Sequence, residues 1–343
     1  MNSKRTDRYT YTPLPEPIPI TDQNWPEGAL PIVSTRTMAY LHQDYIRDCI
    51  EGILMQKTTF PVQVLIHDDA STDGTQTIIK EYQQKYPNLI KVYFQKENSY
   101  RQDGQTKTAM RREFFSWIKG KYIALCEGDD YWTDPFKLQK QVDFLERYED
   151  VILTYGNAKI QDLSGSYHKK DFYLKSFKSQ KISKDAVFGL GVPTLTMMYR
   201  NIVEFPKELK LTKSGDQFMR LYLSTFGDFY NHGEVFGVHR KHDKGVSRVS
   251  NKLEWNLNTV NGLKMFMKYM NNSQKRHIKE KISEHSIYSF YLAIYEKKIK
   301  SSFLILMGLI GSPQFYTRKS LGIFRHLGTQ TILKKNYKVF DIF

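Results

Sequence analysis

Only two cysteines, Cys49 and Cys126, occur in 343 residues. That is too few for a disulfide framework and suits a reducing compartment. The opening stretch MNSKRTDRYTYTPLPEPIPITDQNWPEG has no apolar core, so no signal peptide is expected. No apolar run approaches the roughly 20 residues that a membrane-spanning helix needs. Also missing are a Gly-rich phosphate loop of the P-loop or dinucleotide type, zinc-ligand clusters and any recognisable nucleic-acid-reading motif. Together these absences point to a cytoplasmic protein with no nucleic-acid partner.

What is present is enough apolar material, 40% hydrophobic and 14% aromatic, for one large domain with an appendage. The formal charge of +15 is uneven. From Lys264 to the end there are 15 Lys or Arg against 4 Asp or Glu, an excess of 11 positive charges outside the expected core domain. Such a surface attracts anionic membranes and acidic polymers alike.

The chain is organised around GKYIALCEGDDYWTDPFKLQKQVDFLE, Gly120 to Glu146. Tyr122 to Cys126 is a short apolar run bounded by acids, the pattern of a buried strand. Glu127, Asp129 and Asp130 therefore cluster at its carboxyl end, where open α/β sheets place ligands. Asp134 and Pro135 then start a helix, with Leu138, Val142 and Leu145 at helical spacing. Three carboxylates within four residues repel one another unless a cation sits among them. Mg²⁺ or Mn²⁺ would answer, binding through one or two carboxylates and the phosphates of a substrate. A solvated turn is the alternative reading.

Around this segment the sequence predicts alternating strands and helices. Pro31 to Tyr40 reads as a first strand, although it carries the polar triplet Thr35, Arg36 and Thr37. Tyr45, Ile46, Cys49, Ile50, Ile53 and Leu54 share one helical face, and Val62 to Ile66 follows as a buried strand. The right-handed crossover makes these two strands parallel. Ile90 to Phe94 and Val151 to Asn157 read as further strands. Asp73 reads as a helix cap, and the region from Asn251 onward reads as helices. Phe303 to Ile310 could be buried by a helical cap or could lie in a bilayer interface.

The acidic segment EGDDYWTDPFKLQKQVDFLE resembles that of glycosyltransferase family 2. HDDASTDGT, from His67 to Thr75, is similar to the family's nucleotide-binding loop, and Pro31 to Gln56 to its first strand and helix. The resemblance runs from about Pro31 to Ser247 with the motifs in order. It departs from the family at the first strand's end, where Met38, Ala39 and Leu41 replace the usual proline, threonine and asparagine. Glu127 stands where an aspartate is common.

The resemblance implies a GT-A fold, a Rossmann-like, mainly parallel α/β sheet flanked by helices. Residues 31–250 would form it, between an extended arm (1–30) and a basic helical appendage (251–343). It implies transfer of a sugar from a nucleotide diphosphate to a hydroxyl of a glycan or lipid-linked acceptor in surface polysaccharide assembly. A UDP-sugar is the first expectation, since Asp69 should accept from the imide N–H of uracil. The nucleotide site would comprise Tyr40, Asp68, Asp69, Asp129 and Arg240, and the metal site Asp129, Asp130 and His242. Arg101, Lys107, Arg111 and Arg112 are the cations nearest that cleft. Thr194, Thr196 and Trp132 are the acceptor candidates, the threonines reading equally as part of a strand. Asp216 would be the general base of an inverting displacement, or only a helix cap. The basic tail could touch a membrane. A catalytically degenerate sugar-binding scaffold and a nucleotidyltransferase are the rival readings.

Overall fold

The computed structural model describes residues 11–98, 113–162, 167–172, 178–187, 190–202, 204–212, 215–242, 252–297, 304–306 and 308–309. Arg101, Lys107, Arg111, Arg112 and the turn at 245–247 lie outside these, as do the ends of the 303–310 run. The chain divides into two compact units. One contains Met1–Lys184, Gly189–Val203 and Gly227–His242, and the other Asp185–Phe188, Glu204–Phe226 and Asp243–Phe343. Residues 204–226 thus group with the C-terminal helices and not with the sheet, which differs from a single boundary at 250.

In the first unit the strands and helices alternate as the periodicity predicts. They are β1 (Ile18–Pro19), β2 (Val33–Ala39), α1 (Ile46–Leu54), β3 (Lys57–Thr58), β4 (Val62–Asp68), α2 (Thr75–Lys85), β5 (Ile90–Phe94), β6 (Tyr122–Leu125), β7 (Tyr131–Trp132), α3 (Lys137–Arg147) and β8 (Val151–Gln161). Then follow β9 (Tyr167–Phe172), β10 (Gln180–Ile182), β11 (Met198–Arg200) and β12 (Asp228–Arg240). The large sheet runs β10-β12-β8-β11-β6-β2-β4-β5, with β7 on β12 and β9 on β8. Its half containing β6, β2, β4 and β5 is parallel throughout, as right-handed crossovers require. β11 runs antiparallel to both β6 and β8, while β12 runs parallel to β8.

Burial explains these elements. Ile46, Cys49, Ile50 and Ile53 on α1 and Leu138, Val142 and Leu145 on α3 join Val64, Ile66 and Tyr122 in one core. Thr35 and Thr37 of the polar triplet are fully buried in β2, and neither hydroxyl has a hydrogen-bond partner. The backbone of Thr35 is paired on both sides, with β4 and β6, and that of Thr37 with β4, which is what keeps a polar central strand in place. Ahead of α3, the Asp134 carboxylate accepts from Phe136 N at 2.8 Å, closing the turn before the helix, while Phe136 and not Asp134 holds the cap position. Gly191 to Arg200 is not a continuous strand: Thr194–Thr196 forms a 3-10 turn before β11.

In the second unit α4 (Gly215–Leu223), α5 (Lys252–Phe266) and α6 (Asn272–Tyr295) supply the helices. Phe218 stacks on Phe266 with ring centroids 5.2 Å apart. Gly262 makes the room, since a Cβ there would come within 2.1 Å of the Phe218 ring. Asn271 and Gln274 close a reciprocal capping box at the start of α6. No helix among the described residues is long and apolar enough to cross a membrane.

One core residue breaks the apolar rule. Lys137 is fully buried, its Nζ donating to Gln141 Oε1 at 2.7 Å and lying 4.0 Å from the Trp132 ring centroid. Burial drives its pKa down to about 7. Between that value and the unfolded chain's about 10.4 the unfolded state holds the extra proton, so stability rises with pH across this window. Chemical denaturation from pH 7 to pH 10 should show this rise in the wild-type protein and a flatter profile in Lys137→Met. Parallel profiles would refute the assignment.

Candidate functional site

The carboxyl ends of β2, β4 and β6 lie side by side, and the loops leaving them are tied together by their own backbone. Asp69 N donates to Ala39 O (2.9 Å), Gly128 N to Met38 O (2.9 Å) and Cys126 N to Arg36 O (3.2 Å). The loop after β2 turns at Leu41, φ 55°, and the loop after β4 at Ala70, φ 59°. A left-handed residue with a side chain costs about 1–2 kcal/mol, so neighbours must hold it there. They do: Leu41 N donates to Ser71 Oγ (2.9 Å), His42 N to Thr75 Oγ1 (2.8 Å) and Gln43 N to Asp73 Oδ2 (3.2 Å).

Asp68 lies inside this brace. Its Oδ2 accepts from Ser71 N and Gln76 Nε2, while its buried Oδ1 has no hydrogen-bond partner. Asp73 Oδ1 accepts from Thr75 N at 3.0 Å but stands one residue before Gly74, which holds the cap position, so it braces the turn into α2 and is not the expected cap. Asp69 is buried and receives the Asn98 amide on its carbonyl (3.2 Å) and on Oδ2 (3.4 Å). Tyr40, 38% exposed, stands at the mouth of the same loops.

The acids after β6 are held by the far end of β12. Asp130 Oδ1 accepts from Arg240 N at 2.9 Å, and His239 Nδ1 lies 3.2 Å from the same oxygen. The Asp129 carboxylate meets His242 Nε2 at 2.9 Å and His42 Nε2 at 3.9 Å, both through Oδ2. β7 delivers the acids to this place, because it starts one residue after Asp130 and pairs Tyr131 with Val238 of β12.

The adjacent acids meet opposite fates. Asp130 is 5% exposed and Asp129 is 22% exposed. Burial, with Asp129 adding to it, raises the Asp130 pKa against its bonds to His239 and Arg240. Burial also works to raise Asp129, but the His242 bond and the two flanking imidazoles outweigh it and hold this carboxyl below the usual range. Burial lowers His42 despite Asp129, whereas the Asp130 bond overcomes burial and raises His239.

Arg240 is engaged within the chain at all three nitrogens. Nε donates to Gln161 Oε1 (3.2 Å), one terminal nitrogen donates to Asp129 O (3.2 Å), and the other pairs with Asp48. The guanidinium lies 4.3 Å from the Tyr131 ring centroid. A phosphate would have to displace one of these partners, so the geometry makes Arg240 a latch between β12, α1 and the acid loop. A cleft of about 220 Å³ lined by Asp44, Tyr45, Lys241 and His242, among others, opens beside it.

Two acceptor candidates are corrected by burial. Trp132 is 1% exposed and its indole N–H donates to Leu195 O at 2.6 Å, while Thr196 is fully buried and donates to Pro193 O at 2.8 Å. Neither offers surface to an acceptor. Thr194 is half-buried in the 3-10 turn. Asp216 lies in the second unit, in the first turn of α4, its carboxylate 46% exposed and 3.2 Å from Arg220. No local spacing in the sequence marks His42 or His239 as a site residue.

For a divalent cation the fit is partial. Among the described residues no three His, Cys, Asp or Glu side chains are already gathered as a metal site. Asp129 is ionised, part-exposed and flanked by imidazole nitrogens, so it suits an ion that takes its other ligands from phosphate and water. Both Asp130 oxygens already have partners on β12.

Comparison with known proteins agrees with the architecture. Residues 36–205 match the model of glycosyl transferase family 2. An uncharacterized protein of Mycobacterium tuberculosis is 32% identical over 215 residues, covering 62% of this chain and 60% of its own length. The Escherichia coli UDP-Glc:alpha-D-GlcNAc-diphosphoundecaprenol beta-1,3-glucosyltransferase WfaP is 32% identical over 130 residues, 38% of this chain and 47% of its own. The chain therefore spans less than two thirds of these relatives. The crystal structure of S. aureus TarS 1-349 in complex with UDP-GlcNAc superposes with a TM-score of 0.57 over 89% of this chain and 93% of its own. At 14% identity that likeness is one of fold, the expected GT-A architecture.

Gly128 is the pivot of the acid loop. A Cβ there would stand 2.8 Å from His42 Nδ1 and 3.1 Å from Met38 O. Gly128→Ala should cost about 1–3 kcal/mol of stability, the scale of overpacking, and should move the imidazole NMR resonances of His42 and His242. Unshifted resonances would refute this account of the loop.

Proposed function

From a chain that belongs to glycosyltransferase family 2 through residues 36–205, we propose a metal-dependent, inverting glycosyltransferase. It moves a hexosyl or N-acetylhexosaminyl group from a UDP-sugar to a hydroxyl of a glycan or lipid-linked acceptor in surface polysaccharide assembly. The observation that carries the reading is the ionised, part-exposed Asp129 at the carboxyl end of a parallel sheet, two strands from Asp69. The UDP donor is supported by TarS, whose complex contains UDP-GlcNAc, and by WfaP, whose name specifies a UDP-Glc donor and a diphosphoundecaprenol-linked acceptor.

In this proposal Asp69 accepts the uracil imide N–H, with the Asn98 amide fixing the carboxylate, and Tyr40 covers the base. Asp68 keeps the loop in shape beneath them. Asp129 and His242 face the diphosphate side, where a bound Mn²⁺ or Mg²⁺ would neutralise charge on the departing diphosphate. Asp130 holds the acid loop on β12, and Arg240 fixes the Asp129 backbone. Asp216 removes the proton from the attacking hydroxyl as the new bond forms, which gives a single displacement with inversion. Thr194, half-buried in its 3-10 turn, is the acceptor contact. The basic C-terminal region faces a membrane that carries the acceptor.

Calorimetry with UDP, GDP, dTDP and CDP, with and without Mn²⁺, tests the donor site. UDP should bind in a metal-dependent way and Asp69→Ala and Asp130→Ala should lose it. Binding of no nucleotide by the wild-type protein would reject the donor assignment and favour a degenerate scaffold. With a UDP-sugar that turns over, the product should be UDP, since pyrophosphate would indicate a nucleotidyltransferase. Asp216→Asn should keep UDP affinity and lose about 10²–10⁴-fold in turnover, the usual scale for a general base. Unchanged turnover would remove Asp216 from the chemistry.

A further inference from the structure

The polar triplet of β2 has no part in the proposed function, and its charged member is left unmatched by the fold. Arg36 lies midway along this strand, paired with Leu65 of β4 and Leu125 of β6, and its Nε is buried without a hydrogen-bond partner. No described Asp or Glu is ion-paired with it, and the guanidinium's contact is with the Phe115 ring, 5.8 Å away at the centroid. Buried charges are ordinarily paired, and an unsatisfied polar group in a native structure calls for a reason. The Lys137 amine can give up its proton in response to burial. A guanidinium has no such escape, since it stays charged at any ordinary pH.

The strand's alternation shows where this charge is directed. Val33 and Ala39 pack with α1 in the core and Thr35 and Thr37 share their face, while Ser34, Arg36 and Met38 take the opposite one. Along that second face Ser34 is fully buried and Arg36 and Met38 are part-exposed, so it opens toward the carboxyl end of β2. Phe115 is 43% exposed, so the cation and the ring it meets form a part-open surface. β4 on one side leads to Asp69 and β6 on the other leads to Asp129, and Arg36 O accepts from Cys126 N just ahead of the acid loop. Arg36 thus belongs to the strand between the two halves of the proposed donor site. If packing were its only duty, an apolar side chain would fill the place without the cost of desolvating a charge.

We propose that Arg36 is the counter-charge of a substrate phosphate, carried either by the donor as its diphosphate or by the acceptor. The planar fork of a guanidinium meets phosphate oxygens two at a time, which a point charge cannot do. The inference rests on the proposed transfer from a nucleotide donor. It deepens that reading by adding a residue of the central sheet to the loop residues already assigned.

The test uses the full chain, with UDP, uridine and N-acetylglucosamine 1-phosphate as calorimetric probes in the presence of Mn²⁺, for the wild type, Arg36→Met and Arg36→Lys. Thermal melts of the ligand-free proteins accompany it. Arg36→Met should melt no lower than the wild type, because it removes an uncompensated charge. It should weaken one phosphate probe by about tenfold or more, the scale of a hydrogen bond to a charged group, and leave uridine unchanged. Arg36→Lys, which keeps the charge without the fork, should fall between the two. Weakened UDP assigns the donor diphosphate; weakened sugar phosphate with UDP unchanged assigns a phosphate on the acceptor. Equal weakening of UDP and uridine would mean a general disturbance of the donor loops and overturn the role of Arg36. If the wild type binds UDP and both Arg36 variants match it on every probe, Arg36 is overturned and the donor reading stands. If the wild type binds the sugar phosphate through Arg36 but neither UDP nor uridine, the phosphate role stands and the donor reading falls. If it binds none of the three, both are overturned.

Discussion

Two adjacent carboxylates at the end of a buried strand can coexist only if the fold separates their environments, and this separation governs the rest of the structure. Asp130 is turned inward and bonded to the backbone and imidazole of β12, while Asp129 is turned outward between two rings. A bond from a backbone N–H and a bond from a histidine offset part of the cost of burying one acid, whose pKa burial still raises. With that acid fixed, the other is delivered in one orientation. The Arg240 guanidinium reinforces this by gripping the carbonyl of Asp129 and the side chain of Asp48 together.

The sheet makes such separation possible. The parallel half brings three strand ends together, and β12 arrives from the mixed half to cover the third of them. The loops at that edge are rigid because each is bonded to its neighbours and not because any is rich in regular structure. Two left-handed residues with side chains, Leu41 and Ala70, are tolerated on that account.

Much of this was legible in the sequence because it is local. The strands at Val33–Ala39, Val62–Asp68, Ile90–Phe94 and Tyr122–Leu125 and the helices Ile46–Leu54 and Lys137–Arg147 show their apolar periodicity directly. The acids at the end of β6 are equally local. What escaped was long-range. His239 and Arg240 reach Asp130 across more than a hundred residues, and His42 approaches Asp129 from a helix lead-in whose polar pattern reads as solvent-facing. Trp132 and Thr196 misled for the related reason that a polar group on a short segment looks available until a neighbouring carbonyl is found to hold it.

The dependence of the acids on β12 also orders events during synthesis. A ribosome releases the chain from its amino end, so β2, β4 and β6 emerge long before Arg240 and His242. A nascent chain that ends before Gly227 contains the strands of the parallel half and every residue of the acid loop, but none of the groups on β12 that divide the labour of Asp129 and Asp130. The two acids are therefore synthesised well before the β12 groups that hold Asp130, and a prematurely terminated product would carry both carboxylates without Arg240 and His239 to set Asp130 apart.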